Sequence, residues 1–282
     1  MPVLVAGHAN LDRVWQLAEP LRAGARLNVL SRHLRLGGGG ANTAAALVTL
    51  GAPVKLACRL ASDTVGDAMF AWLAEAGVDM AATERHDGAT TAGDILLDPS
   101  GERTLLGTSS AAASHILPTA LLNWSGRVAY VNLSRLADPS ALAAVTARCL
   151  LVAQMPLDLA QPRPVQVLIA SRSDVSGISP EELFRRRAVL DTALRQVVLT
   201  DGPGSVALAD ASGVRMLEPA GPAVSGNTIG AGDFFAAGLL QALGSGAEIG
   251  AAVGAGQLAA RRLLVTRPAA LEAWRDVEVL RN

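Results

Sequence analysis

Thr228-Ile229-Gly230-Ala231-Gly232-Asp233 runs straight into the apolar stretch Phe234-Phe235-Ala236-Ala237-Gly238-Leu239-Leu240. Small residues and a carboxylate stand where a helix begins. The first N–H groups of a helix have no intrahelical partner and sit at the positive end of its dipole, so they suit an anion. Glycines let that anion approach the backbone. Asp233 adds a proton acceptor beside it. An anion cradle with an adjacent base is what phosphoryl transfer to a hydroxyl requires.

Two other places can present a hydroxyl. Asn10 and Asp12 follow the buried-strand pattern Val3–Gly7. Ligands of open α/β sheets bind just outside strand carboxyl ends, and a carboxylate there accepts hydrogen bonds from sugar hydroxyls. Asn and Asp are equally ordinary turn residues. Gly37-Gly38-Gly39-Gly40-Ala41-Asn42 reads either as a linker or as a backbone loop approaching a polar ligand with Asn42 facing it. The motif alone leaves the two readings balanced.

Other chemistries lack their parts. Lys55 is the only lysine, so there is no Gly-Lys-Ser/Thr phosphate loop and no protein-kinase Val-Ala-Ile-Lys strand. A nucleotide must therefore be held by backbone amides, arginine and a metal ion. Gly202-Pro203-Gly204-Ser205-Val206-Ala207 fits a dinucleotide fingerprint, but a hairpin rather than a helix is predicted after it. Gly254-Ala255-Gly256-Gln257-Leu258-Ala259 fits it inside a helical pattern, where small residues serve close packing or leave room for a flat base. His8, His33, His86 and His115 show no metal-ligand spacing, and no Gly-x-Ser-x-Gly elbow occurs.

Composition narrows the class further. Half of the 282 residues are hydrophobic but only 3% are aromatic, so Ala, Val and Leu must fill the core. The net charge is -1 without a basic stripe, which argues against a nucleic-acid partner. Neither a signal-like start nor a membrane-length apolar run is found, so a cytoplasmic location is expected and no membrane partner. Cys58 and Cys149 lie in apolar runs and read as buried, reduced thiols.

The elements that must position these residues alternate. Strands are predicted at Val3–Gly7, Val54–Leu60, Arg127–Asn132, Cys149–Ala153, Val165–Ala170 and Gln196–Thr200. A hairpin follows at Val206–Ala209 and Val214–Leu217. Helices are predicted from Ala41 to Gly51, Asp63 to about Ala76, Pro139 to Arg148, from Pro180, Ala231 to Leu243 and Ala247 to Leu264. Such alternation implies a mainly parallel sheet covered on both faces. Segments 13–36 and 90–106 are strand-like and break the rhythm; they suit a small lid over the strand ends. One domain over 1–282 is expected.

In these residues the chain resembles the PfkB carbohydrate kinases of the ribokinase-like fold. The first signature is Gly37–Asn42, continuing through Leu50-Gly51-Ala52 and Asp63-Thr64-Val65-Gly66. The second is Thr228–Phe235, with Val265-Thr266-Arg267-Pro268 downstream. The resemblance implies a three-layer α/β sandwich with a small β lid, and ATP and Mg²⁺ as cofactors. It implies Asp233 as catalytic base and the amides of Gly230, Ala231, Gly232 and Asp233 as the anion hole. Asn10, Asp12, Gly38, Gly39 and Asn42 align with the sugar site, Arg103 with a hairpin over the substrate, and Thr200 and Gly202 with the nucleotide segment. Homodimerisation through the lid, as in many relatives, is also implied.

Departures from the family pattern are equally specific. Asn227 replaces an Asp linked to monovalent-cation binding. Ser171-Arg172-Ser173-Asp174 replaces an Asn-x-x-Glu motif that organises Mg²⁺ and phosphates through water. Asp174 then stands in for the Glu, and Arg172 offsets phosphate charge. Ser205 replaces a glycine. The expected function is ATP-dependent phosphorylation of a hydroxyl on a small sugar or sugar derivative. The alternatives are a nucleoside kinase, a non-catalytic sugar- or nucleotide-binding member, and a structural protein of kinase fold.

Overall fold

The computed structural model describes residues 2–107, 115–224 and 228–266. Its elements are numbered along the chain. The large sheet contains β1 (Val3–Gly7), β4 (Val54–Ala57), β9 (Val128–Asn132), β10 (Leu150–Gln154), β11 (Val167–Ser171), β12 (Gln196–Thr200), β13 (Val206–Asp210) and β14 (Gly213–Leu217). The small sheet contains β2 (Asn10–Leu17), β3 (Val29–Gly37), β7 (Ala92–Leu97) and β8 (Arg103–Leu106), and β5 (Arg59–Ala61) pairs with β6 (Glu84–His86). The helices are α1 (Gly39–Thr49), α2 (Thr64–Glu75), α3 (Thr119–Leu122), α4 (Leu142–Thr146), α5 (Pro180–Leu190), α6 (Ala231–Gly244) and α7 (Ile249–Thr266).

The large sheet has the order β14-β13-β12-β11-β10-β9-β1-β4. From β12 to β4 it is parallel; β13 and β14 close one edge antiparallel. Successive residues of a strand face opposite ways, and both faces here are covered. Val3 and Val5 pack with α1, α2, α6 and α7, whereas Leu4 and Ala6 pack with α3, α4 and α5. This makes the strands continuously apolar, as a doubly covered parallel sheet demands.

Three details depart from the sequence-based expectation. The strand expected over 54–60 breaks at Cys58, because β5 leaves the large sheet to pair with β6. The helix expected over 139–148 is a 3₁₀ turn at Pro139–Ala141 running into the short α4. Helix α3 and strand β6 carry too little periodicity to read from sequence. The hairpin after Gly202 is present as β13 and β14, so no dinucleotide-binding helix follows that glycine.

Buried charge fixes the loops beyond the strand ends. Arg163 and Arg187 are fully buried around Asp191. The Arg187 guanidinium pairs with Asp191, and the Arg163 backbone N–H donates to the same carboxylate. The Arg163 guanidinium donates to the carbonyls of Leu133 (2.7 Å) and Gln154 (3.1 Å), clipping together the chain just after β9 and the end of β10. At the other edge, the Asp63 carboxylate caps α2 through the Gly66 N–H (2.7 Å). It also accepts from Thr90 N–H (2.7 Å) just before β7.

Helices α6 and α7 pack closely enough to require glycine. A Cβ on Gly238 would lie 2.5 Å from the Ala255 carbonyl oxygen, and one on Gly256 would lie 2.8 Å from that of Phe235. Gly254 meets nothing within 4 Å. The Gly254–Ala259 run therefore serves packing at Gly256. Gly238→Ala is predicted to destabilise the protein by about 1–3 kcal/mol in urea unfolding. Gly254→Ala is predicted to stabilise it by about 0.4–1 kcal/mol; equal effects at both positions would contradict this packing.

Candidate active site

The chain leaves β1 at Gly7 and re-enters extended structure at once, so Asn10 and Asp12 lie in a strand, not in the turn their residue types suggested. Strand β2 pairs with β3 so that Asn10 faces Gly37 and Asp12 faces Arg35. A Cβ on Gly37 would fall 1.9 Å from an Asp12 carboxylate oxygen. Gly38 is left-handed (φ 85°), and a Cβ there would lie 2.5 Å from the His8 carbonyl. The four-glycine run is thus a close-packed loop. It delivers the chain into α1 with Asn42 in the first turn, the Ala41 N–H bonded to the His8 carbonyl at 2.9 Å.

Helix α6 begins opposite. Gly230 caps it in a left-handed conformation (φ 87°), and the Phe234 N–H makes the first helical bond, 2.9 Å to the Gly230 carbonyl. Ala231, expected to lend its amide to the anion hole, instead turns that N–H onto the Thr228 carbonyl at 3.0 Å. Helix geometry leaves the amides of Gly230, Gly232 and Asp233 without a partner inside the helix. A Cβ on Gly232 would meet nothing within 4 Å, so open space borders this turn.

Asp233 is half-buried at the head of α6. The Asn42 side chain donates a hydrogen bond to its carboxylate, and Thr43 Oγ1 donates a long one to Oδ1, 3.5 Å. Burial pushes the Asp233 carboxyl up to about 7, against the opposing pull of Arg35 and Arg103; the Asp12 charge pushes the same way as burial. Asp12 is pushed up to about 6, again by burial and again against Arg35 and Arg103. Below them the Tyr130 hydroxyl on β9 is held protonated by burial and by the Asp233 charge. It shares a network of 3.4 Å contacts with Asn132 and Gln154.

Arg35 escaped sequence reasoning. It is only 5% exposed. Its Nη2 donates to Asn42 Oδ1 at 2.9 Å, its Nε donates to the Leu36 carbonyl at 2.9 Å, and Nε lies 3.9 Å from Asp12 Oδ2. Arg103 reaches from β8 to donate to the Thr228 carbonyl, 3.3 Å, so the small sheet touches the α6 turn. Val14, Ile95 and Leu97 of that sheet also pack with Ile229. His8 and His115, far apart in the chain, stack edge to face with ring centroids 4.3 Å apart.

The remaining candidates form a second group. Ser171 pairs in register with Thr200, which places Arg172, Asp174 and Gly202 together beyond the carboxyl ends of β11 and β12. Arg172 N–H donates to the Thr200 carbonyl (2.8 Å), and its guanidinium lies 3.3 Å from Asp201. Asp174 is exposed, with Ser173 Oγ 3.5 Å from its Oδ1. A lone carboxylate with waters and phosphate oxygens is a donor set that Mg²⁺ accepts. Strand β11 is three spacings from β1, about 14 Å, with β10 and β9 between them. Asn227, Arg267 and Pro268 lie outside the described residues.

Comparison with known proteins assigns the family and the fold. The family model described as pfkB family carbohydrate kinase matches residues 3–274. The chain belongs to the pfkB family. No curated protein matches the sequence. Among solved structures, ribokinase from Thermotoga maritima is 16% identical, with a TM-score of 0.74 over 96% of this chain and 98% of that one. Arabidopsis thaliana ribokinase, solved with ribose and ATP, is 19% identical (TM-score 0.73; 95% and 94% covered). Burkholderia thailandensis nucleoside kinase, solved with inosine, is 14% identical (TM-score 0.73; 93% and 90% covered). The pfkB chain described here therefore has the ribokinase-like α/β fold with its small separate sheet.

The raised Asp233 carboxyl carries a sign. In the folded pfkB protein it holds its proton up to about pH 7, whereas the unfolded chain releases it near 3.8. Stability therefore falls as pH rises across that window. Asp233→Asn cannot ionise, so its melting temperature is predicted to gain on wild type from about pH 4 to about pH 8. A constant difference across that range would contradict the raised value.

Proposed function

We propose that this protein is an ATP-dependent kinase that phosphorylates a hydroxyl of a small sugar or sugar derivative. The observation that carries the proposal is Asp233. A carboxylate poised near neutrality stands at a glycine-lined helix start, hydrogen-bonded by Asn42, with Asp12 across the cleft. A general base works best when its pKa lies near the operating pH.

In this reading Asn10, Asp12, Gly38, Gly39 and Asn42 hold the acceptor. Asp233 takes the proton from its hydroxyl as the oxygen attacks the γ-phosphorus in line. The amides of Gly230, Gly232 and Asp233 face the equatorial oxygens, where charge accumulates. Thr200 and Gly202 border the nucleotide, and Arg172 lends positive charge to its phosphates. Mg²⁺, held through water by Asp174, would neutralise charge on the triphosphate. Arg103 and the apolar contact of Val14, Ile95 and Leu97 with Ile229 close the small sheet over the cleft as a lid and exclude water. We place the reaction in the cytoplasm and the whole chain in one kinase domain.

A nucleoside acceptor is the second reading. It is favoured by the apolar cluster of Val14, Ile95 and Leu97 with Ile229, which puts apolar side chains of the small sheet beside the α6 turn. The small sheet also exposes Val29, Leu30, Leu105 and Leu106, and we propose a homodimer through it; a monomer in sedimentation at micromolar concentration would count against that.

A panel of sugars and nucleosides with ATP and Mg²⁺, followed by ADP release, tests the activity. At least one acceptor is predicted to be phosphorylated, and kcat/KM is predicted to rise with pH through about 7. Asp233→Asn is predicted to lower turnover about 10²–10⁴-fold while acceptor binding is nearly kept. Calorimetry showing both ligands bound without transfer would instead favour a binding protein.

A further inference from the structure

We infer that Arg35 is a positioning residue that fixes the Asn42 amide so that its N–H, not its carbonyl, faces the Asp233 carboxylate. The inference rests on the reading of Asp233 as the base. An Asn side chain has one carbonyl oxygen and one NH₂ group, and the environment decides which way they point. Here the oxygen is occupied: Arg35 Nη2 donates to it at 2.9 Å. The nitrogen is left to donate to Asp233. With the amide reversed, a carbonyl oxygen would face the carboxylate and an NH₂ group would face a guanidinium, and both contacts repel.

Arg35 is itself held on three sides. It lies buried on β3, directly across the strand pair from Asp12. Its Nε donates to the Leu36 carbonyl at 2.9 Å and stands 3.9 Å from Asp12 Oδ2. One guanidinium thus reaches the Asp12 carboxylate directly and the Asp233 carboxylate through Asn42. Asn42, aligned by resemblance with the sugar site, gains a second role, because one of its amide protons is committed to the base.

The groups that face Asp233 come from every neighbouring element. They are Asn42 and Thr43 from α1, Arg35 from β3, Arg103 from β8, Asp12 from β2 and Tyr130 from β9. Of the two arginines only Arg35 is buried, so its field is the less screened by water. Its removal loosens the Asn42 donor and withdraws a positive charge together. Both changes disfavour the ionised carboxylate.

The test compares Arg35→Met and Arg35→Lys with wild type across roughly pH 5–9.5. The acidic limb of kcat/KM is predicted to move up by about one pH unit in Arg35→Met. The loss of kcat is then larger at about pH 6.5 than at about pH 9, with KM for ATP unchanged. Arg35→Lys, which keeps the charge but loses the planar fork, is predicted to recover part of the shift. A purely structural role would lower activity by the same factor at every pH.

A second readout needs no catalysis. The melting-temperature advantage of Asp233→Asn is measured in two backgrounds, one with Arg35 intact and one carrying Arg35→Met. It is predicted to level off at higher pH, and to reach a larger final value, in the second background, while its start near pH 4, set by the unfolded chain, stays put; the Arg35→Lys background serves if Arg35→Met does not fold. An unmoved limb and an unmoved plateau in folded variants would overturn the assignment. A wild-type protein that phosphorylates no acceptor would instead overturn the kinase reading, while the melting series still reads the Arg35–Asn42–Asp233 relay.

Discussion

The cleft depends on one conflict: a carboxylate partly withdrawn from water but kept able to ionise. Burial alone favours the neutral acid of Asp233, and the nearby Asp12 charge adds to that effect. Two guanidinium groups and an amide donor oppose it. The balance lies near neutrality, where a carboxyl group can both accept a proton and release it. The helix start supplies what a charge on Asp233 needs and what a phosphoryl group needs, because unpaired amides and a positive dipole end favour any anion.

The rest of the fold serves this balance. Parallel strands send their carboxyl ends to one edge of the sheet, and the loops there border the candidate residues. The glycine run after β3 lets α1 start against the His8 carbonyl, which brings Asn42 and Thr43 to Asp233. The buried Arg163 joins the chain just after β9 to the end of β10. The small sheet contributes Asp12, Arg35 and Arg103, so its pairing register sets the electrostatics of the base as well as covering it.

Much of this was legible in the sequence because it is local. The alternation of apolar runs and turn residues marked the large sheet, and Gly230–Asp233 marked the helix start through consecutive positions. Family resemblance supplied the pairing of that turn with Gly37–Asn42. What escaped is non-local. Arg35 acts because β2 and β3 pair and set it opposite Asp12, and no spacing rule gives that register. Asn10 and Asp12 read as turn residues because their strand partners, Gly37 and Arg35, lie in another segment. The His8–His115 contact joins residues from distant parts of the chain.

The central claim is that Asp233 titrates near neutrality in the folded protein. Carbon-13 NMR of aspartate-labelled protein, with Asp233→Asn used to assign the resonance, measures this directly. The account predicts a carboxyl midpoint of about 7; a midpoint near 3.8, the ordinary value, would contradict it.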